Sequence, residues 1–173
     1  MLKELMNEAE MNRILEDLAF RVIKECPAGD LCIVGIHRRG KVLAERIHSM
    51  IKKLNNADLP LGSLDITLYR DDFSEVGSFP TVYGSNIPFN VNNMSILLID
   101  DVVYTGRTVR AAIDAVIDYG RPAKILLMAL IDRGHRELPI QPDFVGKTIP
   151  TAKKDDVQVH VKEIDGDNGV YIS

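Results

Sequence analysis

The stretch Ile96-Leu-Leu-Ile-Asp-Asp-Val-Val-Tyr-Thr-Gly-Arg-Thr108 limits the folds open to this chain more than any other. Its first four residues read as a strand buried on both faces. Asp100 and Asp101 stand at the end of that strand, and a turn over Asp100–Gly106 leads into a helix opening at Thr108. Val109, Ala112, Ile113, Val116 and Ile117 form one stripe on that helix, and Gly120 closes it, with Pro122 just beyond. A strand needing cover on both faces and running straight into a helix begins a βαβ crossover, hence a parallel sheet.

The order recurs upstream. Leu31-Cys-Ile-Val-Gly-Ile36 reads as a buried strand, and His37-Arg-Arg-Gly40 leads from it into a helix pattern of Val42, Leu43, Ile47, Met50, Ile51 and Leu54. Residues 4–25 are expected as an amphipathic helix on Ile14, Leu15, Leu18, Val22 and Ile23. Strands are expected at Leu64–Tyr69, Lys124–Ile131 and Phe144–Ile149, and the alternation of Val157, Val159 and Val161 marks a half-exposed one. Between Arg70 and Asn93 the periodicity fails among Gly77, Pro80, Gly84 and Pro88; so long a loop reads as an active-site lid, or as a plain hairpin. No repeat divides the 173 residues, and a single α/β domain with a mostly parallel central sheet accounts for them.

Composition narrows the function classes. Lys and Arg number 21 against 25 Asp and Glu, for a net charge of −4, which argues against a globally basic nucleic-acid binder. Cys26 and Cys32 offer neither a metal spacing nor a disulfide framework, and Cys32 reads as a small buried hydrophobe, so a reducing, cytoplasmic setting is expected. No apolar run is long enough to span a membrane, and none near the N-terminus resembles a signal peptide.

Ligands of an open parallel sheet bind beyond the C-terminal strand ends, where two loops stand out: His37–Gly40 and Asp100–Thr108. Thr105-Gly-Arg-Thr108 offers backbone N–H groups, two hydroxyls and a helix N-terminus, the parts of a monophosphate cradle, with Gly106 allowing close approach. Carboxylates repel phosphate but accept hydrogen bonds from sugar hydroxyls, so Asp100 and Asp101 beside the cradle suit a ribose 5-phosphate. The blander reading is a helix cap with structural acids; the full order of strand, acid pair, apolar pair and cradle favours the ligand. No Walker A or Gly-x-Gly-x-x-Gly pattern is present.

The Ile96–Thr108 segment closely resembles the phosphoribosyl diphosphate (PRPP) signature of type I phosphoribosyltransferases. Val34-Gly-Ile-His-Arg-Arg-Gly40 resembles that family's pyrophosphate loop, and Leu64-Asp-Ile-Thr-Leu-Tyr-Arg-Asp-Asp72 the strand into its mobile flap. Gly120-Arg-Pro122, Asp132-Arg-Gly-His-Arg-Glu-Leu-Pro139 and Asp143-Phe-Val-Gly-Lys147 are similar to the bifunctional pyrimidine operon attenuator/uracil phosphoribosyltransferase subfamily, over about residues 10 to 172. The resemblance implies the type I phosphoribosyltransferase fold, a parallel sheet flanked by helices, with a flap at about 70–93 and a small hood from the N-terminus and about 132–150.

It also implies an activity: uracil and PRPP giving UMP and pyrophosphate. Asp100 and Asp101 would hold the ribose hydroxyls, and Val103, Tyr104, Thr105, Gly106, Arg107 and Thr108 would wrap the 5′-phosphate. Arg38, Arg39 and Gly40 would meet the pyrophosphate on a loop that in related enzymes carries a non-proline cis peptide; Arg38 stands where the family usually has Thr. Arg39, Arg70 and Asp101 would serve catalysis, Arg70 from the flap and Asp101 as a base. Asp132, Arg133 and Arg136 would read uracil. Mg²⁺ would arrive on PRPP with no dedicated protein ligands.

The subfamily's second role implies pyrimidine operon mRNA as a partner, bound when UMP is present. Residues 121–154 carry seven basic and three acidic side chains, a local excess that could form an RNA face. Against it, Glu16 and Asp17 lie on the first helix, and Gln141 stands where the family often has a base. A homo-oligomer is expected, and no membrane. A purine phosphoribosyltransferase, and a nucleotide-sensing RNA-binding regulator with little turnover, are the alternatives.

Overall fold

The computed structural model describes residues 2–71 and 81–173. Two sheets organise them. The larger has five parallel strands in the order β3-β2-β4-β5-β6: β2 (Leu31–Ile36), β3 (Leu61–Leu64), β4 (Ser95–Val103), β5 (Lys124–Asp132) and β6 (Phe144–Thr148). The smaller is antiparallel, pairing β1 (Lys3–Met6) with β8 (Gly169–Ile172) and β8 with β7 (Val157–His160). It draws on the N-terminus and on two strands from residues 157–172.

The side-chain alternation of the strands explains the layering. Ile33, Leu97, Ile99, Met128 and Leu130 join a core shared with α1 (Glu8–Glu25) and α2 (Arg39–Asn55). Their neighbours Cys32, Val34, Ile96, Leu98, Leu127 and Ala129 face the other way, against Val109, Ala112 and Val116 of α3 (Arg107–Asp118). Both cysteines are buried and unpaired, and burial pushes the Cys32 thiol up to about 11.

Three expectations shift. The helix expected over 4–25 begins only at Glu8: Asn7 caps it, its side chain accepting the Glu10 N–H at 2.9 Å. Lys3–Met6 instead pairs with β8, a long-range partnership that overrides local periodicity. The strand expected at Leu64–Tyr69 is β3 at Leu61–Leu64, and a 3₁₀ turn covers Thr67–Tyr69. Asp65 makes that break, accepting the Thr67 N–H at 2.9 Å and the Thr67 hydroxyl in an Asx turn. Finally, β4 continues through Asp100 and Asp101 to Val103, because β5 stays paired alongside it as far as Val103↔Asp132.

The lid expected near 70–93 falls partly on residues 72–80, which lie outside the described residues. Its return path is described: Tyr83 and Gly84 donate their backbone N–H groups to the Asp65 carboxylate, and Ser63 and Asn86 form an isolated bridge.

Candidate functional site at the strand ends

The C-terminal ends of β2, β3 and β4 meet at one rim of the large sheet. Close packing brings them together. A Cβ on Gly35 would lie 2.5 Å from Lys41 Cα, and one on Gly40 would lie 2.5 Å from the Ile99 carbonyl oxygen. Glycine at both places lets the start of α2 fold back across β2 and rest on β4. The His37–Arg38 peptide is cis, the feature the family resemblance implies for this loop.

Two adjoining cavities open at this rim. One, of about 340 Å³, is lined by Val102 to Val109 with Arg70 and Glu137. The other, of about 280 Å³, is lined by His37, Arg38, Arg39, Asp100, Asp101 and their surroundings. Arg70, Val102 and Thr108 border both. The first holds the expected phosphate cradle: Gly106 takes φ +92° as the residue before α3, and a Cβ there would press on Ile140 at 3.3 Å. Arg107 donates its N–H to the Thr105 hydroxyl at 3.3 Å, and Thr105 O accepts N–H groups from Glu137 and Leu138.

The second cavity carries opposed charges. Asp100 is buried, and desolvation together with the neighbouring Asp101 carboxylate raises its pKa well above the usual carboxylate range. Arg70 lies close enough to counter part of that rise. Arg39 gives two parallel hydrogen bonds to Asp165, from Nε at 3.0 Å and Nη2 at 2.7 Å. Arg38 lies over the Tyr83 ring at 5.5 Å, and His37 stacks on the same ring at 5.6 Å.

Other expected residues take different positions. The Arg107 guanidinium reaches Glu137 at 2.8 Å and Asp71 at 2.6 Å, so it ties Asp71 to the 133–140 loop. Tyr104 lines the cradle cavity, and its ring lies under the Arg133 guanidinium at 4.1 Å. None of Asp132, Arg133 and Arg136 borders either cavity. Arg136 bonds Asp132 at 2.7 Å and the Tyr104 and Ile140 carbonyls at 2.9 and 2.8 Å. Burial opposes ionisation of Asp132, but the Arg136 bond and the Gly134 N–H hold its pKa below the ordinary value. Arg133 bonds Thr151, Ala152 and Asp155. These three side chains therefore build the loop that roofs the cradle.

The basic segment 121–154 does not form one face. Arg133 and Arg136 are spent internally, and Lys147 bonds Glu10 at 2.9 Å. Arg121 and Lys124 lie at the far end of β5, roughly 25 Å along the strand from the cavity rim. Lys153 and Lys154 are exposed, and the Lys153 carbonyl accepts the Tyr104 hydroxyl at 3.4 Å. Sequence reading missed Asp65, Tyr83 and Asp165. The Asx-turn pattern could have found Asp65; Asp165 reaches Arg39 across 126 positions and leaves no local signal.

Among the described residues no cluster of three or more His, Cys, Asp or Glu could hold a metal, and no helix is long and apolar enough to cross a membrane.

A parallel sheet with two adjoining cavities at its C-terminal rim is the architecture on which the class rests, and the phosphoribosyl transferase domain family matches residues 1–164. The Bifunctional protein PyrR of Caldicellulosiruptor bescii is 52% identical over 171 residues, covering 98% of this chain and 94% of the relative. That of Thermus thermophilus is 51% identical over 170 residues, with the same coverage of each. The chain thus belongs to the phosphoribosyl transferase family, within it to the bifunctional PyrR proteins. A hypoxanthine phosphoribosyltransferase from Staphylococcus aureus shares the fold, with a TM-score of 0.72, 20% identity and coverage of 99% of this chain and 90% of that one.

Proposed function

We propose that this protein transfers the phosphoribosyl group of PRPP to uracil, giving UMP and pyrophosphate. The observation that carries the reading is the shared border of the two cavities at Arg70, Val102 and Thr108, in a chain half identical to bifunctional PyrR proteins. One ligand can place its 5′-phosphate on Val103–Thr108 and its sugar hydroxyls beside Asp100 and Asp101. Its pyrophosphate then meets Arg38, Arg39 and Gly40.

In the reaction the C1′–O bond to pyrophosphate breaks as uracil N1 bonds to C1′, and N1 gives up its proton. Charge develops on the leaving pyrophosphate and on the ribosyl carbon. Arg39 and Arg70 stabilise the first, the dominant electrostatic contribution. Asp101, half-buried at the cavity wall, stabilises the second and accepts the N1 proton. Asp100 and Asp101 offer the hard oxygens Mg²⁺ prefers, so the rim suits a cation bound mainly by PRPP oxygens and water. When bound, Mg²⁺ supplies charge neutralisation on the pyrophosphate. Uracil is read by backbone groups of the loop after β5, because the Asp132, Arg133 and Arg136 side chains are occupied.

Pyrophosphate release with PRPP and Mg²⁺, compared across uracil, hypoxanthine and guanine, tests this. Release with uracil alone supports it. Release with a purine moves the protein to the purine enzymes, and UMP binding without release from any base leaves a nucleotide-sensing regulator.

A second reading adds UMP-dependent binding of pyrimidine operon mRNA in the cytoplasm. The half-identity to proteins named bifunctional favours it. The exposed Lys153 and Lys154 beside the rim are its best-placed cations.

A further inference from the structure

We propose that Asp165 is a positioning residue that aims the Arg39 guanidinium at the pyrophosphate. The inference rests on the functional reading above and deepens it. Arg39 is the first residue of α2 and borders the cavity that holds Asp100 and Asp101. Its Nε and Nη2 donate to the two Asp165 oxygens, while Nη1 makes no hydrogen bond among the described residues. A guanidinium has two usable edges. Asp165 occupies the Nε edge and leaves the Nη1 edge for an anion.

Asp165 is itself held. It ends the short helix α4 (Lys162–Asp165), its side chain is 12% exposed, and Val161 donates a backbone N–H to Oδ2 at 2.9 Å. The Arg39 bond, opposed by burial, holds its carboxyl below the usual range, so the aspartate stays charged at neutral pH. The arginine's rotamer freedom is thereby spent during folding rather than when PRPP binds.

A purely structural clamp is already present seven residues along the same helix. Arg46 bonds Glu163 at 3.2 and 2.5 Å and Asn168 at 2.7 Å, which fastens the C-terminal segment to α2. Of the two arginines, Arg39 borders the cavity and Arg46 does not.

The test compares Asp165→Asn with Glu163→Gln, which breaks the neighbouring clamp without touching Arg39. Asp165→Asn is expected to lower kcat/KM for PRPP about tenfold, the loss of roughly one charge-assisted hydrogen bond. KM for uracil stays within about twofold, and Tm falls no further than in Glu163→Gln, which keeps its kcat/KM for PRPP. Asp165→Glu, which keeps the charge but displaces the guanidinium, gives a smaller loss of the same PRPP-specific kind. In an Arg39→Lys background Asp165→Asn adds nothing. Tighter PRPP binding in Asp165→Asn, an equal loss in Glu163→Gln, or additive losses with Arg39→Lys would overturn the assignment. PRPP affinity by calorimetry reads the same comparison without turnover. Wild-type protein that binds PRPP but turns over no base therefore defeats the functional reading alone, and wild-type protein that binds no PRPP defeats both.

Discussion

The Asp100 carboxylate accepts the backbone N–H of Asp101 at 2.9 Å, and the two acids, adjacent in β4, sit in different surroundings. Asp100 is buried; Asp101 is half-buried at the cavity wall. The strand thus keeps one carboxylate against its preference for water, a strain on the fold located where the ligand's hydroxyls are expected.

Replacing Asp100 by Asn separates stability from function. The raised pKa means the folded state holds the Asp100 proton more tightly than the unfolded chain. Its contribution to stability is complete below about pH 4 and is lost as pH rises toward the folded value. Thermal melts of Asp100→Asn and wild type should therefore agree at low pH and separate at pH 7 to 8, the variant melting about 2–4 °C higher. PRPP turnover should fall at least about tenfold. A variant that melts lower at neutral pH would show that the buried carboxyl is not a burden.

Gly40→Ala is expected to lose about 1–3 kcal/mol, because the added Cβ lies 2.5 Å from backbone that cannot give way. Gly29→Ala, with nothing within 4 Å of its Cβ, should be neutral or slightly stabilising. Denaturant unfolding of the pair measures the difference, and PRPP affinity should follow stability only at Gly40.

Arg136→Ala leaves the buried Asp132 carboxylate with the Gly134 N–H and the Gln141 side chain but no cation, so a loss of about 3 kcal/mol is expected. Lys cannot span Asp132 and two carbonyls with one ammonium, so Arg136→Lys should recover little. KM for uracil should rise more than KM for PRPP. Equal rises would mean that the loop serves only the cradle.

RNA binding in the presence of UMP should weaken steeply with salt. Lys153→Gln with Lys154→Gln should weaken it, and Arg121→Gln with Lys124→Gln should not. Lys153 sits beside Tyr104 at the cavity rim, whereas Arg121 and Lys124 lie at the other end of β5. Filter binding of a leader transcript at several salt concentrations reads this directly.

The two central βα units could be read from the sequence because each element declares itself locally. The Ile96–Ile99 and Leu31–Ile36 runs and the stripes after them have unambiguous periods. The cradle and the acid pair are contiguous for the same reason. What the sequence hid depends on distant pairing. Lys3–Met6 becomes a strand because β8 needs a partner, and the stop after Leu64 depends on where the Asp65 side chain turns. The loop 132–140 drew attention through its charges, yet those charges hold the protein's own backbone. Asp165 was silent because its partner lies at the opposite end of the chain's connectivity.

All five strands of the large sheet run the same way, so each delivers its last residues to one rim and its first to the other. The two rims carry different residues and are free to serve different purposes. Under the proposed function, change at the cavity rim meets Asp100, Gly40 and the cradle, whereas Arg121 and Lys124 sit at the opposite end of β5. A lineage with this architecture can gain, retune or abandon a second occupation on its free margin and remain an enzyme throughout.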